Sequence, residues 1–234
     1  VTGGSRGIGE MIARGFLEAG AKVYISARKA QACEETAQEL GKIGPCIAIP
    51  ADVSTADGAR QLAARVAAQE SKLDILVNNA GASWGAPMTE YPESGWDKVM
   101  DTNVKGIFYL TVEMLKLLEN AASAAAPARV INIGSINGLR VPSMPNYAYS
   151  ASKAAVHQLT AHLAKELGRK HITVNAIAPG PFESKMTEWM LSNMREEIEK
   201  GCPLGRIGSP SDMAGLAIFL ASRAGAYVNG AVIP

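Results

Sequence analysis

Short apolar runs rich in β-branched residues alternate with longer stretches in which apolar positions recur every three or four residues. The runs fall at 22–27, 46–50, 73–78, 129–134, 172–177 and 227–233. Helical periodicity covers 7–20, 30–41, 56–71, 97–119, the stretch carrying Tyr149 and Lys153, and 211–221. Gly20 closes the first helix as a C-cap glycine does, and the alanine-rich stretch 120–128, with Pro127 near its end, reads as a loop. Apolar runs without a polar face, alternating with helices, predict parallel strands buried on both sides. The expected fold is a doubly wound α/β domain, one parallel sheet flanked by helices on both faces. No repeat or linker divides residues 1–234, so a single domain is expected.

Composition narrows the classes without changing that picture. With 23 basic and 22 acidic side chains the formal charge is +1, and no field of one sign draws nucleic acid or an anionic membrane surface. No apolar run reaches the roughly eighteen residues of a membrane helix. Cys33, Cys46 and Cys202 are an odd, scattered set without metal spacing, which points to free thiols in a reducing compartment and so to the cytoplasm. His157, His162 and His171 have no second ligand nearby in sequence, so no metal site is expected. The chain opens at Val1-Thr2 directly on a glycine turn and closes on an interrupted strand pattern. Both ends read as trimmed, which leaves open a targeting segment ahead of Val1.

Ligands of such sheets bind at the carboxyl ends of the strands, beside the point where strand order reverses. Three features belong there. Gly3, Gly7 and Gly9 in Thr2-Gly-Gly-Ser-Arg-Gly-Ile-Gly9 open the first helix, where backbone can approach a pyrophosphate and free N–H groups favour an anion; Ser5, Arg6 and Ile8 complete the loop. The run 22–27 leads at its end into Arg28 and Lys29, with no carboxylate for a ribose 2′-hydroxyl. With Arg6, these cations suit a 2′-phosphate and predict NADPH/NADP+. Tyr149 and Lys153 stand four residues apart on one helix face, where an ammonium favours the phenolate and makes a usable acid or base.

These elements, with Asp52-Val53, Asn78-Asn79-Ala80-Gly81, Asn103, Ser135 and Pro179-Gly180 in order, resemble the Rossmann-type short-chain dehydrogenases/reductases of the Tyr-x-x-x-Lys type along essentially the whole chain. The resemblance implies a catalytic set of Asn103, Ser135, Tyr149 and Lys153. Tyr149 would protonate a carbonyl while hydride arrives from the nicotinamide, and Ser135 would hold the developing oxyanion. Lys153 would lower the Tyr149 pKa and bind the nicotinamide ribose, and Asn103 would anchor a relay water. Asp52, Val53, Asn79, Ala80, Gly81, Ile133, Pro179, Gly180, Phe182 and Ser184 would complete the cofactor site. The usual threonine after Pro-Gly is absent, with Ser184 offering a hydroxyl instead.

The family places a mobile substrate lid at 182–205. Met186, Trp189, Met190, Met194 and Ile198 recur there at helical spacing, an adaptable apolar stripe that either lines the substrate or packs on the core. Met186 and Trp189, with Trp84, Asn137, Ser135 and Tyr149, are the substrate candidates. Ser83-Trp84-Gly85, Tyr91-Pro92 through Gly95-Trp96, 128–135 and 224–227 resemble the NADPH-dependent 3-oxoacyl reductases of rhamnolipid synthesis, relatives of the 3-oxoacyl-[acyl-carrier-protein] reductases. The implied substrate is a small ketone or a 3-oxoacyl thioester, on an acyl carrier protein or on coenzyme A. Arg129, Arg169 and Lys170 are candidate docking cations, though a solvated face explains them as well. Reduction of other hydrophobic ketones by a broad carbonyl reductase or alcohol dehydrogenase is the alternative, and a non-catalytic NADPH-binding protein comes last. Trans-enoyl reductases of the superfamily space their Tyr and Lys more widely. The family's subunit interface, the catalytic helix with the helix near 104–119, implies a homodimer or homotetramer.

Overall fold

The computed structural model describes residues 1–234. Its strands are β1 (Val23–Ile25), β2 (Cys46–Ala48), β3 (Ile75–Asn78), β4 (Ala128–Ile133), β5 (Ile172–Ile177) and β6 (Val232–Ile233). All are parallel, paired β1 with β2 and β3-β4-β5-β6 in sequence. Thr2 joins the two groups. It forms a parallel bridge with Ser26 just past β1, and its N–H donates to the Val77 carbonyl of β3 at 3.0 Å. The order is therefore β2-β1-Thr2-β3-β4-β5-β6, and the direction of winding reverses between Thr2 and β3. The glycine loop and the Asn78–Gly81 turn both leave the sheet at that switch point.

Helices α1 (Gly7–Glu18), α2 (Ala30–Leu40) and α8 (Pro210–Ala221) cover one face. Their core includes Ile12, Phe16, Leu40, Met213 and Leu220 against Ile25, Ile131 and Ile177. Helices α3 (Ala56–Ala67), α5 (Gly106–Ala121) and α6 (Tyr147–Leu167) cover the other, where Leu62, Leu110, Leu118 and Leu167 meet Leu76, Val130 and Val174. Every residue of β4 and β5 is buried, which is why those runs carry no polar alternation. Buried asparagines are tied in across the sheet: Asn78 donates to Asn132 at 2.9 Å, and Asn132 donates to Thr160 on α6 at 2.9 Å.

The structure differs from the expected elements in three places. Strands are shorter at their edges than the apolar runs, most of all the last, where only Val232–Ile233 of 227–233 pairs. The expected helix at 97–119 is instead α4 (Glu93–Met100), a π turn at Asp101–Lys105, and α5. Within 182–205, helix α7 (Glu188–Gly201) is kinked at Met194 (φ −137°, ψ 22°).

Candidate active site

The glycine loop is held from behind and left open in front. Asn79 donates through Nδ2 to the carbonyls of Thr2 (2.8 Å) and Gly3 (3.2 Å), while the Thr2 hydroxyl accepts from the N–H groups of Asn79 and Ala80 at 3.0 Å each. Thr36 of α2 donates to the Ser5 carbonyl at 3.1 Å. Gly3 (φ 63°) and Gly7 (φ 55°) take left-handed backbone conformations. A Cβ at Gly9 would stand 2.3 Å from the Gly3 carbonyl and 2.4 Å from Asn79 Nδ2. With its carbonyls turned inward, none of the backbone N–H groups of Ser5, Arg6, Gly7, Ile8 and Gly9 donates within the protein. Arg6, the N-cap of α1, makes no side-chain cap. This arc of free N–H groups at a helix start is a cradle for a diphosphate.

Arg6, Arg28 and Lys29 are exposed beside that cradle and make no ion pair, which leaves them free for a 2′-phosphate. The Asp52 carboxylate accepts from the N–H (3.0 Å) and hydroxyl (2.7 Å) of Ser54, so its Oδ1 serves the local turn, while Val53 is buried. Ser184 approaches the loop from the far side, its Cβ 3.2 Å from where a Gly7 Cβ would sit, and shares a hydrogen bond with Thr187 at 3.0 Å. Phe182 is fixed by a parallel bridge to Gly208. The Pro179 carbonyl accepts from Ile136 N–H at 3.1 Å, which sets Pro179-Gly180 beside the end of β4.

The turn that holds the glycine loop also reaches the acid–base pair. A Cβ on Gly81 would lie 3.4 Å from Asn103 Oδ1 and 3.9 Å from Lys153 Nζ. Lys153, buried on α6, donates to the Ile133 carbonyl at 2.7 Å, and its ammonium stands 5.6 Å from the centre of the Tyr149 ring. Ser135, two residues past the end of β4, accepts from Asn137 N–H at 3.1 Å and keeps its own hydroxyl proton to donate. Burial raises the Tyr149 pKa, opposed only by a hydrogen bond from Ser135, and burial lowers Lys153 from 10.5 to about 8. The expectation that Lys153 pulls Tyr149 down is corrected here: desolvation of the phenol dominates and favours the protonated, proton-donating form.

Asn103 is fully buried in the π turn. Its Oδ1 accepts from Ala82 N–H at 2.8 Å, and its Nδ2 donates to the Ala82 carbonyl (3.0 Å) and to Ser152 Oγ (2.9 Å). Both Nδ2 hydrogens are spent on protein, so this side chain works as a strut between the Ala82 turn and α6. The wide π turn, with one more residue than an α turn, aims Asn103 at that position.

Residues 3–234 match the family model described as enoyl-(acyl carrier protein) reductase. Over its whole length the chain is 55% identical to the rhamnolipids biosynthesis 3-oxoacyl-[acyl-carrier-protein] reductase of Pseudomonas aeruginosa, covering 92% of it. The chain belongs to the short-chain dehydrogenase/reductase family. It is also 39% identical, again over 100% of its length, to the 3-oxoacyl-[acyl-carrier-protein] reductase FabG of Chlamydia muridarum, covering 93% of that protein. Among solved structures it is similar to the Pseudomonas aeruginosa RhlG/NADP active-site complex, with a TM-score of 0.97 at 55% identity, covering 100% of this chain and 92% of that one.

Trp84 lies over Gly95 of α4, with Lys98 Nζ 5.5 Å from its ring, and belongs to the apolar cluster that includes Tyr149. Met186 and Trp189 are exposed and outside that cluster; Leu191 is the side chain α7 buries. The docking cations are at the wrong end of the sheet. Arg129 is buried at the start of β4, where its guanidinium bonds the Leu220 and Ser222 carbonyls at 3.1 Å each, and Lys170, just before β5, pairs with Glu119. Ser152 and His157 are members of the site that sequence reasoning did not single out. Ser152 Oγ donates to the Tyr149 carbonyl at 2.7 Å, and His157 Nε2 lies 3.4 Å from Ser135 N. Their signal was periodicity, since both share the buried face of α6 with Lys153.

Proposed function

We propose that this chain reduces the ketone of a 3-oxoacyl thioester to a secondary alcohol with NADPH. The carrying observation is the placement of Tyr149, Lys153 and Ser135 around the end of β4, joined through Gly81 and Asn79 to an open diphosphate cradle. When bound, the nicotinamide supplies hydride. Tyr149, kept protonated by burial, delivers the proton to the carbonyl oxygen, and the Ser135 hydroxyl donates to the same oxygen as charge develops. Lys153 supplies positive charge beneath the phenol. Arg6, Arg28 and Lys29 select the 2′-phosphate. Two 3-oxoacyl-[acyl-carrier-protein] reductases among the relatives support the thioester, and the spacing of four between Tyr149 and Lys153 separates the chain from enoyl reduction.

In this reading, residues 182–205 close over the substrate, whose acyl chain is carried by a carrier protein. The protein works in the cytoplasm as a homodimer or homotetramer. Phe108, Tyr109 and Val112, exposed on α5, support pairing through that helix, and no helix is long and apolar enough to cross a membrane. The test is NADPH oxidation with a panel of 3-oxoacyl thioesters, β-keto esters, steroids and sugars, repeated with NADH. Thioester turnover that Tyr149→Phe abolishes without loss of NADPH binding is expected. Preference for NADH or for a sugar, or full activity in Tyr149→Phe, would overturn the reading.

A further inference from the structure

Strand β4 keeps its hydrogen-bonding alternation past the end of β3. On the β5 side, Gly134 N–H donates to Ile177 (2.7 Å) and Ile136 N–H to Pro179 (3.1 Å). The Ile133 carbonyl and the Ser135 N–H therefore face the opposite way, toward β3. That strand has ended at Asn78, paired with Asn132, so both groups would be orphaned in a buried site. Two side chains of α6, one helical turn apart, take them instead. Lys153 donates to the Ile133 carbonyl at 2.7 Å, and His157 Nε2 accepts from Ser135 N–H at 3.4 Å. The imidazole is enclosed by absent side chains. A Cβ at Gly134 would stand 2.2 Å from Nε2, and one at Gly138 would stand 2.7 Å from Cε1. Ser135 thus sits on a short segment bracketed by two glycines against one ring.

We propose that His157 is a positioning residue, its imidazole accepting the Ser135 N–H and filling the space between Gly134 and Gly138 so that the Ser135 hydroxyl keeps its aim at the substrate oxygen. The inference rests on the reductase reading. It needs a ring unprotonated at Nε2, and burial, then the charge of Lys153, keep the imidazole neutral, with the Gly138 backbone a weaker opposing influence. With Nε2 accepting, the proton of the neutral ring sits on Nδ1, which is buried without a hydrogen-bond partner of normal geometry.

His157→Leu keeps an apolar volume and removes the acceptor, whereas His157→Gln restores an acceptor at similar reach. His157→Leu is expected to lower kcat by about tenfold, the size of one lost hydrogen bond, with NADPH Kd unchanged within about twofold, and His157→Gln to recover most of the loss. Equal kcat in wild type and His157→Leu would overturn the proposal. So would a loss in both variants that parallels a fall in melting temperature. The Ser135 amide resonance in ¹H–¹⁵N spectra is read independently of turnover. It should move in His157→Leu and stay near its wild-type position in His157→Gln, and an unmoved amide in both would overturn the proposal. Wild-type protein inert toward every thioester would instead sink the reductase reading, with the amide still deciding the role of His157.

Discussion

Lys153 Nζ is 2.7 Å from the Ile133 carbonyl oxygen and 5.6 Å from the centre of the Tyr149 ring, so one buried ammonium serves both the strand end and the phenol. Burial lowers its pKa from 10.5 to about 8 and raises that of Tyr149. As pH rises through about 8 the site loses its positive charge while Tyr149 is still protonated. The reduction rate at saturating NADPH is therefore expected to be level below that pH and to fall above it. A kcat profile between pH 6 and 10 checks this. A rate that holds level to the top of that range would show that the charge of Lys153 is dispensable.

On the proposed reading Arg28 carries the cofactor preference, because the end of β1 offers a cation where a carboxylate would accept a ribose hydroxyl. Arg28→Asp is expected to raise the Kd for NADPH by roughly 10–100-fold, the value of a charge-assisted hydrogen bond. NADH binding should improve or hold. Titration of both dinucleotides by fluorescence decides it, and parallel weakening of both would mean that Arg28 shapes the loop rather than reading the phosphate.

The parallel sheet and the ordered site motifs were legible in the sequence because each depends on local pattern. Ile172–Ile177 reads as a buried strand from six residues alone, and Gly3, Gly7 and Gly9 announce a turn that side chains could not make. What stayed hidden depends on elements meeting in space. The break at Asp101–Lys105 has no proline or glycine within it, and its helical periodicity looks continuous, since a π turn adds a residue without changing composition. Arg129 resembles a docking cation until the end of α8 is seen to supply its carbonyl partners. Likewise, Trp189 and Met186 fall on a helical stripe, yet the kink at Met194 and the burial of Leu191 set a different inner face for α7.

Two glycines of the first βα unit should respond oppositely to alanine. Gly20 has a φ of 85° with nothing within 4 Å of its would-be Cβ, so Gly20→Ala meets only the left-handed backbone penalty, about 1–2 kcal/mol. Gly9 has an ordinary φ, but its Cβ would collide with the Gly3 carbonyl and Asn79 Nδ2, the contacts that turn the loop carbonyls inward. Gly9→Ala is expected to abolish NADPH binding while Gly20→Ala binds normally with a lower melting temperature. Calorimetry with and without NADPH separates the two, and retained binding in Gly9→Ala would show that the loop can be rebuilt without the Asn79 strut.

Ser152 joins Asn103 to the backbone of Tyr149. Its hydroxyl accepts from Asn103 Nδ2 at 2.9 Å and donates to the Tyr149 carbonyl at 2.7 Å, with no exposure to solvent. Ser152→Ala strands one Asn103 hydrogen in a buried site, while the other keeps the Ala82 carbonyl. The expected loss of stability is about 1–3 kcal/mol, the desolvation penalty of an unpaired donor. Because Asn103→Ala removes the same contact, the double variant should lose less than the sum of the singles, by at least about 0.5 kcal/mol. Urea denaturation of the four proteins measures that coupling. The bond also ties the π turn to the helix that carries Tyr149 and Lys153, so kcat should fall in Ser152→Ala while the KM for NADPH stays near wild type. Additive stabilities with wild-type kcat would mean that Asn103 reaches α6 by another route.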